Sequence, residues 1–273
     1  MDPITGRTPT KESPATNPVL AVKIENTEAA RPQIGLAEAD MVIVEEVEAR
    51  ITRLIAIFHS QFPTKVGPVR SARNTDLRIL PMFGKPGLVY SGANGKVQRQ
   101  IKKSPVVRLE RSDRDKSRSA PHNVMVDLRK LSRTKELEKA RDIGFDFSPD
   151  DPARSNAKQA TPKTKIGADT FTFDHGKDGY TPRWNDKPYG GTVRADNVVI
   201  LEVRNRKDSD TTSDLSIVSE TVGQGKVAVH RDGTVRYGTW QRPKINGPMR
   251  LVDADDRDIP LAPGRTWVLL HGR

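Results

Sequence analysis

Four groups of residues in this chain have types and spacings that could do chemistry, and all four lie in its first half. The first is Gly67-Pro68-Val69-Arg70-Ser71-Ala72-Arg73-Asn74-Thr75-Asp76, a Gly-Pro turn leading from a strand into a predicted helix. Arg70, Ser71 and Arg73 fall where that helix would expose unpaired backbone N–H groups. Such a terminus attracts anions, and a guanidinium adds paired hydrogen bonds to phosphate or carboxylate. The plainer reading is a cap at Ser71, with the arginines paired to Asp76 and nearby glutamates.

The second group is Glu45, Glu46 and Glu48 with Arg53 and His59. On a strand, Arg53, Ile55, Ile57 and His59 share a face, because side chains repeat every two residues. An acid, an arginine and a histidine on one face suit proton transfer; they equally suit cross-strand ion pairs. The third is Pro121-His122-Asn123, a histidine beside an amide ahead of a strand-like run. The fourth is a basic tract: Lys96, Arg99, Lys102, Lys103, Arg108, Arg111, Arg114, Lys116 and Arg118. It could follow a polyanion backbone, but it holds no aromatic residue on which a base could stack, and Asp113 and Asp115 dilute it. A solvated surface loop is the reading the tract favours.

The elements that must hold these groups follow from apolar pattern. VLAVKIE (residues 19–25) reads as a strand. MVIV (41–44) is an uninterrupted apolar run, as in a strand buried on both faces. ITRLIAIF (51–58) follows closely enough to form an antiparallel hairpin. A two-residue loop at Ala49-Arg50 would set Glu46 opposite Arg53. Residues 71–83 have helical spacing, with Gly84 as the stop. GLVY reads as a strand, residues 95–103 as a basic helix, and 127–141 as one or two further helices. Residues 1–16 read as a flexible leader and 145–167 as a Pro-, Ser- and Lys-rich linker. Beyond it lie short strands with turn residues between them, including an Asp-Gly hairpin signal at Asp232-Gly233. Trp184, Trp240 and Trp267 fall in this β-rich part and read as packing residues.

Composition sets the outer bounds. A chain of 273 residues suits two domains. Apolar residues make up 34% and aromatics 5%, so the cores are expected to be aliphatic. The formal charge of +11 points to an anionic partner or a solvated basic surface. With no cysteine, disulfides, Cys-ligated zinc, iron–sulfur clusters and a thiol nucleophile are excluded. The five histidines show no HExxH or HxH spacing, and GxxxxGK[ST], GxGxxG and GxSxG are absent. No run is long and apolar enough to span a bilayer as a helix.

Several motifs together resemble the YerB-like family. They are Asn26, Ala30-Arg31-Pro32-Gln33-Ile34-Gly35-Leu36 and Ala39-Asp40, then Glu45-x-x-Glu48 before Ile51-Thr52-Arg53. They continue with Val66-Gly67-Pro68-Val69-Arg70-Ser71-Ala72-Arg73 and Ala120-Pro121-His122-Asn123. Later come Asn197-Val198-Val199, Gly223-x-Gly225, Asp232-Gly233, Gly238-Thr239-Trp240-x-Arg242 and Pro263-Gly264-x-Thr266-Trp267. The resemblance implies an extracytoplasmic bacterial envelope protein, often a lipoprotein, of undefined biochemical role. The export segment and lipobox cysteine it implies are not in this sequence, so membrane attachment is expected only through a missing N-terminal anchor. Ala49-Arg50 departs from the glycines usual in the family, and Pro188-Tyr189 from a common Pro-His.

The expected fold is an α/β, layered first domain (17–144) and a mostly β second domain (168–273). The expected function is binding of an anionic, phosphate- or carboxylate-bearing envelope ligand in an Arg-rich cleft. Arg53, Arg70, Ser71 and Arg73 would hold the anion, and Asn26, Arg31, Gln33 and Asn123 would orient it. The alternative is an envelope phosphotransferase or hydrolase, with Glu45 or Glu48 as general base and His122 as acid. A third reading is a protein-interaction scaffold using the β-rich domain. No cofactor is expected, though the enzyme reading has room for a divalent cation on carboxylates. Nucleic acid is the partner the residues favour least.

Overall fold

The structure, a computed structural model, describes residues 1–151, 158–211 and 215–273. The first part of the chain forms β1 (Leu20–Glu25), β2 (Met41–Glu46), β3 (Thr52–Phe58), β4 (Gly87–Tyr90) and β5 (Val107–Glu110). Its helices are short: α1 (Asn74–Ile79), α2 (Gly95–Lys103) and α3 (Leu128–Leu131). The second part forms β6 (Lys158–Gln159), β7 (Lys163–Ile166), β8 (Asp169–Gly176), β9 (Gly179–Trp184), β10 (Lys187–Pro188) and β11 (Asn197–Lys207). It ends with β12 (Ile217–Glu220), β13 (Gly223–Arg231), β14 (Thr234–Arg242), β15 (Arg250–Val252) and β16 (Thr266–Gly272). The protein is therefore mostly β. The α/β character expected of the first part is limited to its short helices, with α2 linking the parallel pair β4 and β5.

A large sheet runs β15-β14-β13-β11-β16-β2-β3-β1-β4-β5, with β12 added to β11 and β6 to β14. A four-stranded sheet runs β10-β9-β8-β7. The last strand, β16, lies parallel to both β11 and β2. It joins the two expected domains into one sheet. Its TWVLL run is buried throughout, as are β1 and β3. Continuous apolar runs of this kind belong to strands covered on both faces. On one face Ala21, Ile43, Ile55, Leu201 and Leu270 share a core with α1 and α2 residues. On the other, Val22, Val44, Leu54 and Leu269 meet Phe171, Phe173 and Trp184 of the smaller sheet.

Several local expectations differ from the structure. Asp2, Ile4 and Thr5 are buried, with His59 Nε2 3.0 Å from Asp2 Oδ2, so this part of the leader is packed. The linker places Phe145 and Phe147 in the core and contributes β6 and β7, because its few apolar residues find a groove to fill. Residues 152–157 of that linker lie outside the described residues. The β2–β3 hairpin pairs Glu45 with Arg53 and Glu46 with Thr52, one residue from the expected register. A one-residue slip exchanges faces. Helix α1 starts at Asn74, capped at Arg73, so Ser71 is not its cap. Of residues 127–141 only Leu128–Leu131 is α-helical. The Asp232-Gly233 turn does join β13 and β14, with Arg231 opposite Thr234 and positive φ at both turn residues.

Candidate functional site

Strands β1, β2 and β3 carry apolar side chains on the α1-facing side until their ends, where the same face turns ionic. Period two puts Lys23 and Glu25 in line with Ala21, Glu45 in line with Ile43, and Arg53 in line with Ile55. In register, Arg53 lies between Glu45 and Glu25. Helix α1 closes over this end. It is held from the second half of the chain, since Thr75 Oγ1 accepts from Ser219 N and Asn74 Nδ2 donates to Asp208. That anchorage brings Asp76 onto the strands.

The centre of the cluster is Lys23, which is fully buried. Its ammonium donates to Asp76 Oδ1 at 2.7 Å and to Glu45 Oε1. Burial lowers its proton affinity to about 8, with Asp76 offsetting part of the effect. Glu48 forms the next layer. Arg73 Nε and Nη2 donate to its two oxygens at 2.8 and 2.5 Å, and Arg53 Nη2 adds a third bond at 2.9 Å. Burial would raise the Glu48 carboxyl, but the hydrogen bond from Arg73 and both guanidinium charges hold it at about 2. Asp76 also accepts from the Arg73 backbone N–H at 2.7 Å, as an acid at the third helical position does.

The outer layer joins a second pair. His122 Nδ1 is 2.7 Å from Glu25 Oε2, and Arg70 Nε stands 3.5 Å from the same oxygen. The Arg70 and His122 side chains are 26% and 24% exposed. Arg70 and Ser71 belong to an extended segment that crosses the end of β1, where Arg70 N donates to Lys23 O and Val69 N to Val124 O. Gly67 makes this crossing possible. Its φ is +152°, and a Cβ there would lie 2.7 Å from Val124 O and from Met125 Sδ. Beside the segment, a cavity of about 340 Å³ is lined by Glu48, Ser71, Arg73, Asn94 and Val97.

The loop that carries Glu48 is strained. Ala49 and Arg50 have φ of 54° and 60°, a left-handed pair that glycine would adopt freely. Val47 N donates to Ile51 O across it, and Arg50 O accepts from Ala168 N. Ala49 and Arg50 thus keep a glycine-like turn.

The cluster therefore brings together Glu48, Arg53, Arg70, Ser71, Arg73 and His122. Glu45 belongs to it but is wholly buried on Lys23, which leaves it no access as a base. Three residues expected to orient a ligand are spent on the fold. Asn26 donates to Thr52 Oγ1 and accepts from Tyr189 Oη, both at 2.8 Å. Gln33 donates to Glu25 O, and Asn123 Oδ1 accepts from Arg114. All three are buried, since a short amide inside a loop satisfies backbone and neighbours more readily than it reaches solvent. Arg31 faces the smaller sheet, its guanidinium 4.5 Å from the Trp184 ring and 4.7 Å from the Tyr189 ring. Sequence reasoning missed Lys23, Glu25 and the scale of Asp76's role. Two charges at the end of the apolar strand VLAVKIE were the available signal. Among the described residues, no three His, Asp or Glu side chains converge as metal ligands.

Comparison with known proteins places this geometry in a family. A profile described as protein of unknown function (DUF3048), N-terminal domain, matches residues 4–141, and its C-terminal-domain profile matches residues 161–268. The chain belongs to this YerB-like family. YerB of Bacillus subtilis (strain 168), named as a candidate lipoprotein, is 29% identical over 290 residues, spanning 97% of this chain and 84% of that protein. The crystal structure of YerB from Bacillus subtilis superposes with a TM-score of 0.79 at 24% identity, covering 98% of this chain and 95% of that one. The YerB-like fold is thus shared over nearly the whole chain, including the sheet that joins both profiles. No helix among the described residues is long and apolar enough to cross a membrane.

Proposed function

We propose that this YerB-like protein is a membrane-anchored, extracytoplasmic envelope protein that binds a phosphate- or carboxylate-bearing ligand at the Arg70–Ser71–Arg73 edge of the cluster. The envelope location rests on the candidate-lipoprotein name of its Bacillus relative. The observation that carries the ligand reading is Arg70. Arg53 and Arg73 are committed to Glu48, whereas Arg70 is partly exposed and has only a loose ion pair with Glu25. A guanidinium in this state can donate two hydrogen bonds to an anion without breaking a strong pair. The Ser71 side chain lines the adjoining cavity and could supply a further hydrogen bond. Lys23, Arg53, Arg70 and Arg73 balance Glu25, Glu45, Glu48 and Asp76, so recognition here is local hydrogen bonding rather than a long-range field. Calorimetric titration with phosphate-bearing glycans and lipid headgroups tests it. Arg70→Ala is expected to weaken binding about tenfold or more, as loss of a charged hydrogen-bond donor does, and binding equal to wild type would sink the reading.

One observation favours the second reading, an envelope phosphotransferase or hydrolase. Glu25 at 2.7 Å orients the His122 imidazole and favours the proton on Nδ1. Nε2 is then the acid–base atom, with Arg70 placed to stabilise developing negative charge. The carboxylate role passes from Glu45 and Glu48 to Glu25 as the positioning residue. Hydrolysis of aryl phosphate and glycosidic reporters should then be lost in His122→Gln and shift in pH profile in Glu25→Gln. A rate indifferent to His122 would remove this reading. For the scaffold reading, the large apolar side chains exposed in the described β-rich part are Leu215, Tyr237 and Ile245, few for a protein interface.

A further inference from the structure

The basic tract is not absorbed by the site. Between residues 96 and 111 the sequence carries six cations, Lys96, Arg99, Lys102, Lys103, Arg108 and Arg111, against one acid, Glu110. The structure stacks them on one margin of the molecule: α2 and the edge strand β5 are consecutive, and β5 ends the large sheet. Val97 and Ile101 anchor α2 in the core, leaving Lys96, Arg99, Lys102 and Lys103 exposed. Gln98 Nε2 donates to Glu110 Oε1, tying helix to strand, and Arg108 is exposed on the same strand. None of the six forms an ion pair among the described residues. The contrast within the chain is sharp, since Arg78, Arg206, Arg231, Arg236, Arg250, Arg257 and Arg273 are each within 4.0 Å of a carboxylate.

We propose that the α2–β5 margin is a docking surface for an anionic lipid bilayer. Unpaired cations on a protein margin are attracted to anionic headgroups, an attraction that operates within a Debye length of the surface. The cations occupy a helix crest and an adjacent edge strand, a broad face rather than a groove. Of the six, only Lys103 lines the cavity of about 590 Å³ beneath α2. A planar array of headgroups fits such a face better than a threaded polymer. Residues 91–140 contain no Phe, Tyr or Trp, which removes the stacking platform a single-stranded nucleic acid uses. The inference goes beyond the ligand site and does not depend on Arg70. In a membrane-anchored protein it would also set which margin faces the bilayer.

The test is sedimentation of the full chain with vesicles of phosphatidylglycerol mixed with phosphatidylcholine, and with vesicles of phosphatidylcholine alone. Wild type is expected to bind only the former and to release in high salt. The combined variant Lys96→Gln, Arg99→Gln, Lys102→Gln and Lys103→Gln should lose about tenfold or more in binding, as the removal of four surface charges implies. A control with the same charge change elsewhere, Lys158→Gln, Lys163→Gln, Lys165→Gln and Lys226→Gln, should bind as wild type does. Equal binding to both vesicle types would overturn the proposal, as would an unaffected α2 variant or an equal loss in the control. Loss on Arg70→Ala alone would assign the vesicle to the ligand site instead. Tighter, α2-dependent capture by inorganic polyphosphate or duplex DNA than by vesicles would assign the margin to a polymer.

Discussion

Two basic regions of this chain behave in opposite ways. At the end of β1 to β3, Lys23, Arg53 and Arg73 are buried or nearly so, and each is held by carboxylates. On the α2–β5 margin, cations of the same types stand at the surface and form no ion pair among the described residues. The difference is solvation. Charges taken out of water must be paired and hydrogen-bonded to be tolerated, so the inner region has drawn Glu45, Glu48 and Asp76 from three separate elements. The outer charges stay hydrated and cost nothing until an anionic surface arrives. Both regions are rich in lysine and arginine; burial separates structural ions from available ones.

The comparison can be broken most directly at Lys23. Lys23→Met leaves Glu45 and Asp76 buried without their cation and is expected to cost about 3–5 kcal/mol in urea unfolding. Adding Glu45→Gln and Asp76→Asn to that variant should recover much of the loss, because no uncompensated buried charge remains. A single variant as stable as wild type would show that water reaches this centre. Next in size is acid sensitivity. Glu48 is held at about 2, below its ordinary 4.5, so its pairing stabilises the fold above about pH 4.5 and is lost as pH falls towards 2. The contribution is no more than about 3 kcal/mol after allowance for its partial exposure. Unfolding free energies of wild type and Glu48→Gln should therefore converge over that window, and parallel curves would contradict the assignment.

A smaller effect sharpens the inner region. Ala49→Gly should stabilise by about 1 kcal/mol, since glycine accepts the left-handed turn that alanine adopts at a cost. A destabilised variant would mean that the turn is not strained. The smallest effect belongs to the outer margin: Lys102→Gln should change unfolding free energy by less than about 0.5 kcal/mol. A larger loss would reveal a hidden partner for that lysine.

Much of the frame was legible. Runs such as MVIV and TWVLL read as strands because full burial leaves no polar face to alternate with. Residues 95–103 read as a helix, and the structure gives α2 the same limits. The Asp-Gly turn was readable because its backbone needs residues that accept positive φ. The ionic partners were less accessible. Glu48 and Arg53 lie five residues apart in one hairpin, and their proximity followed from the hairpin alone. The pairing of Lys23 with Asp76, fifty-three residues apart, did not. Asn26, Gln33 and Asn123 looked available because residue type carries no record of burial.

The sequence by itself determined that the long apolar runs are strands, that cysteine chemistry is absent, that the polar motifs concentrate before residue 124, and that the chain is YerB-like. Only the tertiary structure decided which of those polar residues still face water. Local pattern sets the face on which a side chain stands. Its partner depends on register and on elements distant in sequence: β16 drawn in between β11 and β2, and α1 held over the strands from Ser219. A shift of one residue in the β2–β3 hairpin was enough to put Glu45 rather than Glu46 opposite Arg53. Packing over that face then separated the committed arginines from Arg70.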